Sequence, residues 1–197
     1  MLAGGGSKRF GRDKSLVEIG NQPLLERLCS VLRGVTHSVR IVGSPESYGG
    51  FGVAVTSDRW PGEGPLGGII TALLAGAKDG GPEWNIIIGC DMPFLTCEWL
   101  TYLAQRAQAS EADVVVPKSA HGLEPLCACW RTSAGARLQL AFESGVRKVT
   151  EGMKHLSMEV LDEADWKRFD SADRLFWNMN TLSDYEEAKR ILEAERA

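Results

Sequence analysis

The sequence predicts an α/β fold of three-layer, Rossmann-like type, with a mostly parallel, twisted sheet between two layers of helices. Three observations predict it. Short β-branched apolar runs recur along the chain. Amphipathic stretches at helical spacing lie between them. The composition, 197 residues with 44% hydrophobic and 24% charged, is that of a soluble protein with a substantial core. Alternating strands and helices require crossover connections, which make neighbouring strands parallel. No repeat, low-complexity tract or linker interrupts the pattern, so residues 1–197 are expected to form a single domain.

The runs SVRIVG (38–43), GVAVTS (52–57), WNIIIGC (84–90), ADVVVP (112–117) and EPLCACW (124–130) read as buried strands. They are short, continuous, and ended by Gly, Pro or Asp. QPLLERLCSVLRG (22–34) has leucines at helical spacing, with Gly34 as C-cap. GPLGGIITALLAGAKDG (64–80) opens with proline and ends in glycine, and CEWLTYLAQRAQAS (97–110) is amphipathic. Ser183-Asp184-Tyr185-Glu186 has the spacing of a capping box and opens a last helix to about Glu195.

Composition excludes several function classes. No window of about twenty residues is free of charge, so no membrane-spanning helix is expected, and the N-terminus has no apolar signal region. The net charge of −4 argues against a nucleic-acid binder. Five scattered cysteines suit a reducing compartment, so a cytoplasmic location is expected. Cys127 and Cys129 alternate onto one strand face and read as small buried hydrophobes, and the histidines at 37, 121 and 155 are too dispersed to assemble a zinc site.

Against this acidic background the start is locally basic. Gly4-Gly5-Gly6 is followed by Lys8, Arg9, Arg12 and Lys14. A glycine-rich turn at the carboxyl end of a strand lets backbone N–H groups approach phosphates unobstructed. The spacing fits neither the P-loop, since Arg12 follows Gly11, nor the dinucleotide fingerprint, since Arg9 stands where a glycine is needed. From the residues alone two readings stay open, a loop that wraps and neutralises a triphosphate and a solvated N-terminus. In the first, Arg9 bridges phosphate oxygens as a fork and Lys14 acts as a point charge.

Leu2-Ala3-Gly4-Gly5-Gly6-Ser7-Lys8-Arg9-Phe10-Gly11-Arg12-Asp13-Lys14 resembles the L-A-G-G-x-S-x-R-[FM]-G-x-D-K signature of the nucleotidyltransferases. Gly64-Pro65-Leu66-Gly67-Gly68, Cys90-Asp91-Met92-Pro93-Phe94 and Asn178-Met179-Asn180-Thr181 follow in the order of the molybdenum cofactor guanylyltransferases, so the resemblance spans nearly the whole chain. It implies a nucleotidyltransferase fold and transfer of GMP from GTP to molybdopterin, with release of pyrophosphate and Mg²⁺ as cofactor. It also implies transient contact with other enzymes of molybdenum cofactor biosynthesis or with the enzymes that use the cofactor. Nucleotide contacts are implied for Leu2, Ala3, Gly4, Gly5, Gly6, Ser7, Lys14, Asp58, Asp91, Asn178 and Asn180, a catalytic role for Arg9, Lys14 and Asp91, and metal ligation for Asp91 and Asn180.

The residues bear on these assignments unevenly. Asp91 follows an apolar strand at the carboxyl edge, where a hard oxygen ligand suits Mg²⁺, and a local N-cap role for the same Asp is compatible with that. Asp58 also ends a strand and reads equally as a loop carboxylate. Asn178 and Asn180 flank Met179, so an extended backbone aims both amides the same way, but Asn is also ordinary turn chemistry. The loop WPGEGPLGG (60–68) precedes a helix N-terminus, which attracts anions, and the resemblance places it beside the pterin substrate. His121 is a further candidate pterin contact. Val42-Gly43-Ser44 lacks the Asn that some relatives carry near the base, which leaves a cytidylyltransferase or a sugar-phosphate nucleotidyltransferase as alternatives, beside a catalytically silent nucleotide-binding protein. The resemblance also implies a central strand of about five residues before the glycines. Only Met1, Leu2 and Ala3 stand there, so the first strand is truncated, and low stability and weak GTP binding are expected unless the stub suffices.

Overall fold

A computed structural model describes residues 1–4, 13–78, 80–170 and 172–195, the side chain of Lys78 excepted. In chain order the strands are β1 (Glu18–Ile19), β2 (Gln22–Pro23), β3 (Arg40–Val42), β4 (Ala54–Thr56), β5 (Trp84–Ile88), β6 (Val114–Ser119), β7 (Gly122–Leu123), β8 (Cys127–Arg131) and β9 (Met158–Leu161). The helices are α1 (Leu24–Arg33), α2 (Pro45–Tyr48), α3 (Pro65–Lys78), α4 (Cys97–Gln108), α5 (Ala134–Glu143), α6 (Val149–Gly152), α7 (Glu163–Trp166) and α8 (Leu182–Ala194).

Period-two burial creates the three layers. On β8, Cys127 and Cys129 enter one apolar cluster, while Ala128 and Trp130 enter another. β5 and β6 divide in the same way: Ile86, Ile88 and Val115 face the first cluster, and Ile87, Val114 and Val116 the second. The first cluster is closed by leucines of α1 and α4 and by Ala188, Ile191 and Leu192 of α8. The second is closed by Leu66, Ile69, Ile70 and Leu73 of α3 with Leu138 and Phe142 of α5. The Cys127 thiol accepts the Trp99 indole N–H at 3.2 Å, inside the core.

The order across the sheet is β4, β3, residues 1–3, β5, β8, β6, β9. β3 and β4 are parallel, as are β6 and β9, and Leu2 bridges in parallel to both Val42 and Gly89. β8 runs antiparallel to β5 and to β6. The reason is the short 120–126 connection, in which β7 folds back on β6 and returns the chain to the gap beside β5. The sequence pattern did not reveal the β1–β2 hairpin, α5, α6, α7 or β9.

Two expectations change. The N-cap of α8 is Thr181 rather than Ser183: its hydroxyl accepts the Asp184 N–H, and the Asp184 carboxylate accepts the Thr181 N–H. A capping box closes when the third residue in reaches back, and Asp184 does so from Thr181, taking the Asn180 N–H at 2.7 Å as well. Residues 1–3, in turn, the few that precede the glycines, are paired into the sheet. Leu2 N–H donates to Ile88 O at 2.8 Å, Ala3 N–H to Val42 O at 2.9 Å, and Val42 N–H to Met1 O at 2.9 Å. The Met1 ammonium donates to Arg40 O at 2.8 Å, and burial lowers its pKa from 8.0 to about 6. Beside Met1 a cavity of about 640 Å³ opens between Ser38–Arg40 on one flank and Trp84–Ile87 on the other.

Candidate active site

The carboxyl ends of residues 1–3, β3 and β5 meet along one edge of the sheet. Gly4 leaves it with φ +100°, a conformation that L side chains rarely adopt. Gly5, Gly6, Ser7 and Arg9 lie outside the described residues. Asp13, where the chain is next described, is held from two sides. Tyr48 at the end of α2 donates its hydroxyl to Asp13 Oδ2 at 2.6 Å, and Ser15 donates N–H and hydroxyl to Oδ1 at 3.0 and 2.6 Å. Burial and the adjoining Asp13 carboxylate push the Tyr48 hydroxyl well above its ordinary value. This clamp fixes a short turn at Lys14–Leu16. Lys14 Nζ donates to Asn180 Oδ1 at 2.9 Å, across 166 residues of sequence.

Asp91 lies beside this pair, three residues beyond β5. Burial pushes its carboxyl above the ordinary value, and the Lys14 cation pulls it back. Its carbonyl accepts the Met179 N–H at 2.8 Å, which brings 178–180 to the strand end. Met179 is buried in the core, so the residues on either side of it turn outward. Asn180 reaches Lys14, whereas Asn178 donates to the Phe176 carbonyl at 3.1 Å. A Cβ on Gly89 would stand 2.7 Å from Asp91 Oδ1, so this glycine gives the carboxylate its room. The neighbouring Cys90 thiol is pushed up to about 12, first by burial and then by the charges of Asp91 and Asp13, and stays protonated.

Asp58 lies two residues beyond β4. Its Oδ1 accepts the Trp60 N–H at 3.1 Å and the Thr71 hydroxyl at 3.0 Å, tying the loop after β4 to α3. The glycines opening α3 have packing roles: a Cβ on Gly68 would meet the Leu2 side chain at 3.2 Å, and one on Gly67 would meet Trp60 at 3.3 Å. Sequence reading missed Tyr48, and no pattern around it announces a contact 35 residues away.

The donor set suits a small divalent cation. Asp91 offers a hard carboxylate oxygen, Asn180 Oδ1 offers a second once Lys14 releases it, and among the described residues no three His, Cys, Asp or Glu side chains form a cage. Mg²⁺ is held in this way, by one or two protein oxygens plus substrate phosphates.

The sequence pattern of the MobA-like NTP transferase domain matches residues 1–158. A probable molybdenum cofactor guanylyltransferase of Pelotomaculum thermopropionicum is 30% identical over 197 residues, covering 100% of this chain and 93% of that protein. One of Peptoclostridium acidaminophilum is 29% identical over 202 residues, covering 100% and 90%. The crystal structure of molybdopterin-guanine dinucleotide biosynthesis protein A from Archaeoglobus fulgidus aligns with TM-score 0.84 at 24% identity, covering 98% of this chain and 97% of that one. That of 2-C-methyl-D-erythritol 4-phosphate cytidylyltransferase from Thermus thermophilus aligns with TM-score 0.70 at 12% identity, covering 98% and 97%. At these identities the two structures speak for the fold, while the matched domain pattern and the full-length relatives speak for the family. The chain belongs to the MobA-like NTP transferase family and is a nucleotidyltransferase.

Proposed function

We propose that the protein transfers GMP from GTP to molybdopterin in the cytoplasm, forming the guanine dinucleotide form of the molybdenum cofactor. The observation that carries this reading is the hydrogen bond of Lys14 to Asn180 beside Asp91, at the strand edge where the glycine sequence begins. The full-length relatives named as guanylyltransferases support the choice of nucleotide and acceptor. A phosphate oxygen of molybdopterin attacks the α-phosphorus of GTP, the bond from that phosphorus to the β-bridging oxygen breaks, and pyrophosphate leaves with the electron pair. The attacking phosphate is already anionic, so no general base is required. The protein positions the reactants and stabilises charge. The glycine sequence from Gly4 to Gly6 offers backbone N–H groups to the triphosphate, with Ser7 adjoining. Arg9 and Lys14 offset the charge that grows on pyrophosphate. Asp91 and Asn180 would hold Mg²⁺, which when bound polarises the α-phosphate. Leu2 and Ala3 lead into the loop and, with Asp58 and Asn178, complete the nucleotide contacts.

Calorimetric titration of GTP, CTP, ATP and UTP, each with and without Mg²⁺, tests the reading together with pyrophosphate release in the presence of molybdopterin. GTP is expected to bind most tightly, only with Mg²⁺, and to release pyrophosphate only with acceptor. Preference for CTP would assign the protein to cytidylyl transfer, and binding without pyrophosphate release would make it catalytically silent.

A further inference from the structure

Glu124 is a buried carboxylate that the reaction above does not use. It is 8% exposed. The sheet carries it to the edge of the site: Cys127 pairs with Ile88, and Gly89 N–H donates to Leu126 O at 2.8 Å, so residues 124–126 lie against the strand end that bears Asp91. Its backbone is pinned on both sides. Glu124 N–H donates to Pro117 O, and Cys127 N–H donates to Glu124 O, both at 2.9 Å. Oε1 accepts the Ser119 hydroxyl at 2.6 Å, and Ser119 Oγ accepts the His121 N–H at 3.0 Å. Among the described residues the Ser119 hydroxyl is the one hydrogen-bond donor to this carboxylate. Burial pushes the carboxyl above its ordinary value, and the charge of Asp91 adds to the push against Ser119 and His121.

A carboxylate so placed repels phosphate. It suits a neutral group that presents two adjacent N–H donors, since each carboxylate oxygen still has a lone pair to offer. The amide–amino edge of a 2-amino-4-oxo-pyrimidine ring is such a group, and both guanine and pterin carry it. Position separates the two sources. Glu124 stands on the β8 and β6 side of Asp91, whereas residues 1–4 and β3 stand on the other. Resting on the reading that molybdopterin is the acceptor, we propose that Glu124, held by Ser119, reads the N3–H and 2-amino edge of the acceptor's pterin and so determines which ring is accepted.

The test is binding, followed by pterin fluorescence on the full chain with GTP and Mg²⁺ present. The probes are pterin and lumazine, which has oxygen in place of the 2-amino group. The parent protein is expected to favour pterin tenfold or more. Glu124→Gln is expected to erase the preference while GTP affinity stays within twofold. Ser119→Ala, which leaves the carboxylate but frees it to turn, is expected to reduce the preference, and it serves alone should Glu124→Gln fail to fold. Equal binding of the two rings by the parent, no binding of either at millimolar concentration, or a preference that survives Glu124→Gln or, where that variant does not fold, Ser119→Ala, would overturn the proposal. So would a loss of GTP affinity as large as the loss of pterin affinity, which would give the edge to guanine. None of these readings depends on turnover, so a failure of GMP transfer is seen separately in pyrophosphate release.

Discussion

Asp91→Asn keeps the side chain's shape and removes its charge. Because the side chain stands at a strand end rather than in either apolar cluster, the melting temperature is expected to stay within a few degrees while turnover at saturating Mg²⁺ falls about a hundredfold or more. Lys14→Ala removes an exposed hydrogen bond that contributes little to stability, so its effect should appear in the ligand. GTP is expected to weaken far more than guanosine in parallel titrations, and equal losses would assign Lys14 to the base or to structure. Gly89→Ala probes Asp91 from behind. Its Cβ would stand 2.7 Å from Oδ1, a contact the carboxylate can relieve by rotating. Stability is expected to change little and turnover to drop, measured as a melt and a rate on one preparation. At this scale the sequence was legible where a residue's neighbours constrain it. Asp91 ends an apolar run, and Asn180 alternates with a buried Met179, so each has one direction to face. At Asp58 the sequence leaves the role open, because a carboxylate that holds Trp60 and Thr71 through one oxygen is written no differently from one that also binds a ligand.

The strands near the centre of the sheet announced themselves because both faces are buried, which leaves continuous apolar runs. β9 did not, because Met158 and Val160 are exposed and only Leu161 is fully buried, so the run looks like loop. The β1–β2 hairpin hid in plain turn residues: Gly20 and Asn21 both take positive φ, a Gly-Asn pair that licenses a tight hairpin. The buried Met1 ammonium has a measurable signature. The folded chain holds the Met1 proton less tightly than the unfolded chain does, so the unfolded state binds more protons between pH 6 and 8. Stability of the 197-residue chain is therefore expected to rise with pH across that window and to level off above it. Thermal melts at constant ionic strength, with and without N-terminal acetylation, check this, and the acetylated chain should lose the slope.

The cavity beside Met1 concerns the whole molecule, because it separates the two halves of the sheet and touches both helical layers through Leu32, Ala72 and Ala104. Four to six apolar, β-branched residues added before Leu2 are expected to raise the melting temperature by several degrees or more and to tighten GTP. A melt and a titration on both lengths decide it, and no gain would mean that three paired residues suffice. The last link in the site is also the last to be made. Lys14 meets Asn180 across 166 residues, and Tyr185 donates its hydroxyl to Glu18 O across 167. A ribosome that has finished every strand of the sheet has yet to deliver Asn180 and α8. Nascent chains therefore carry Lys14 and Asp91 before the partner of Lys14 is made, and the Lys14–Asn180 link closes only once residue 180 has left the ribosome and reached the strand edge.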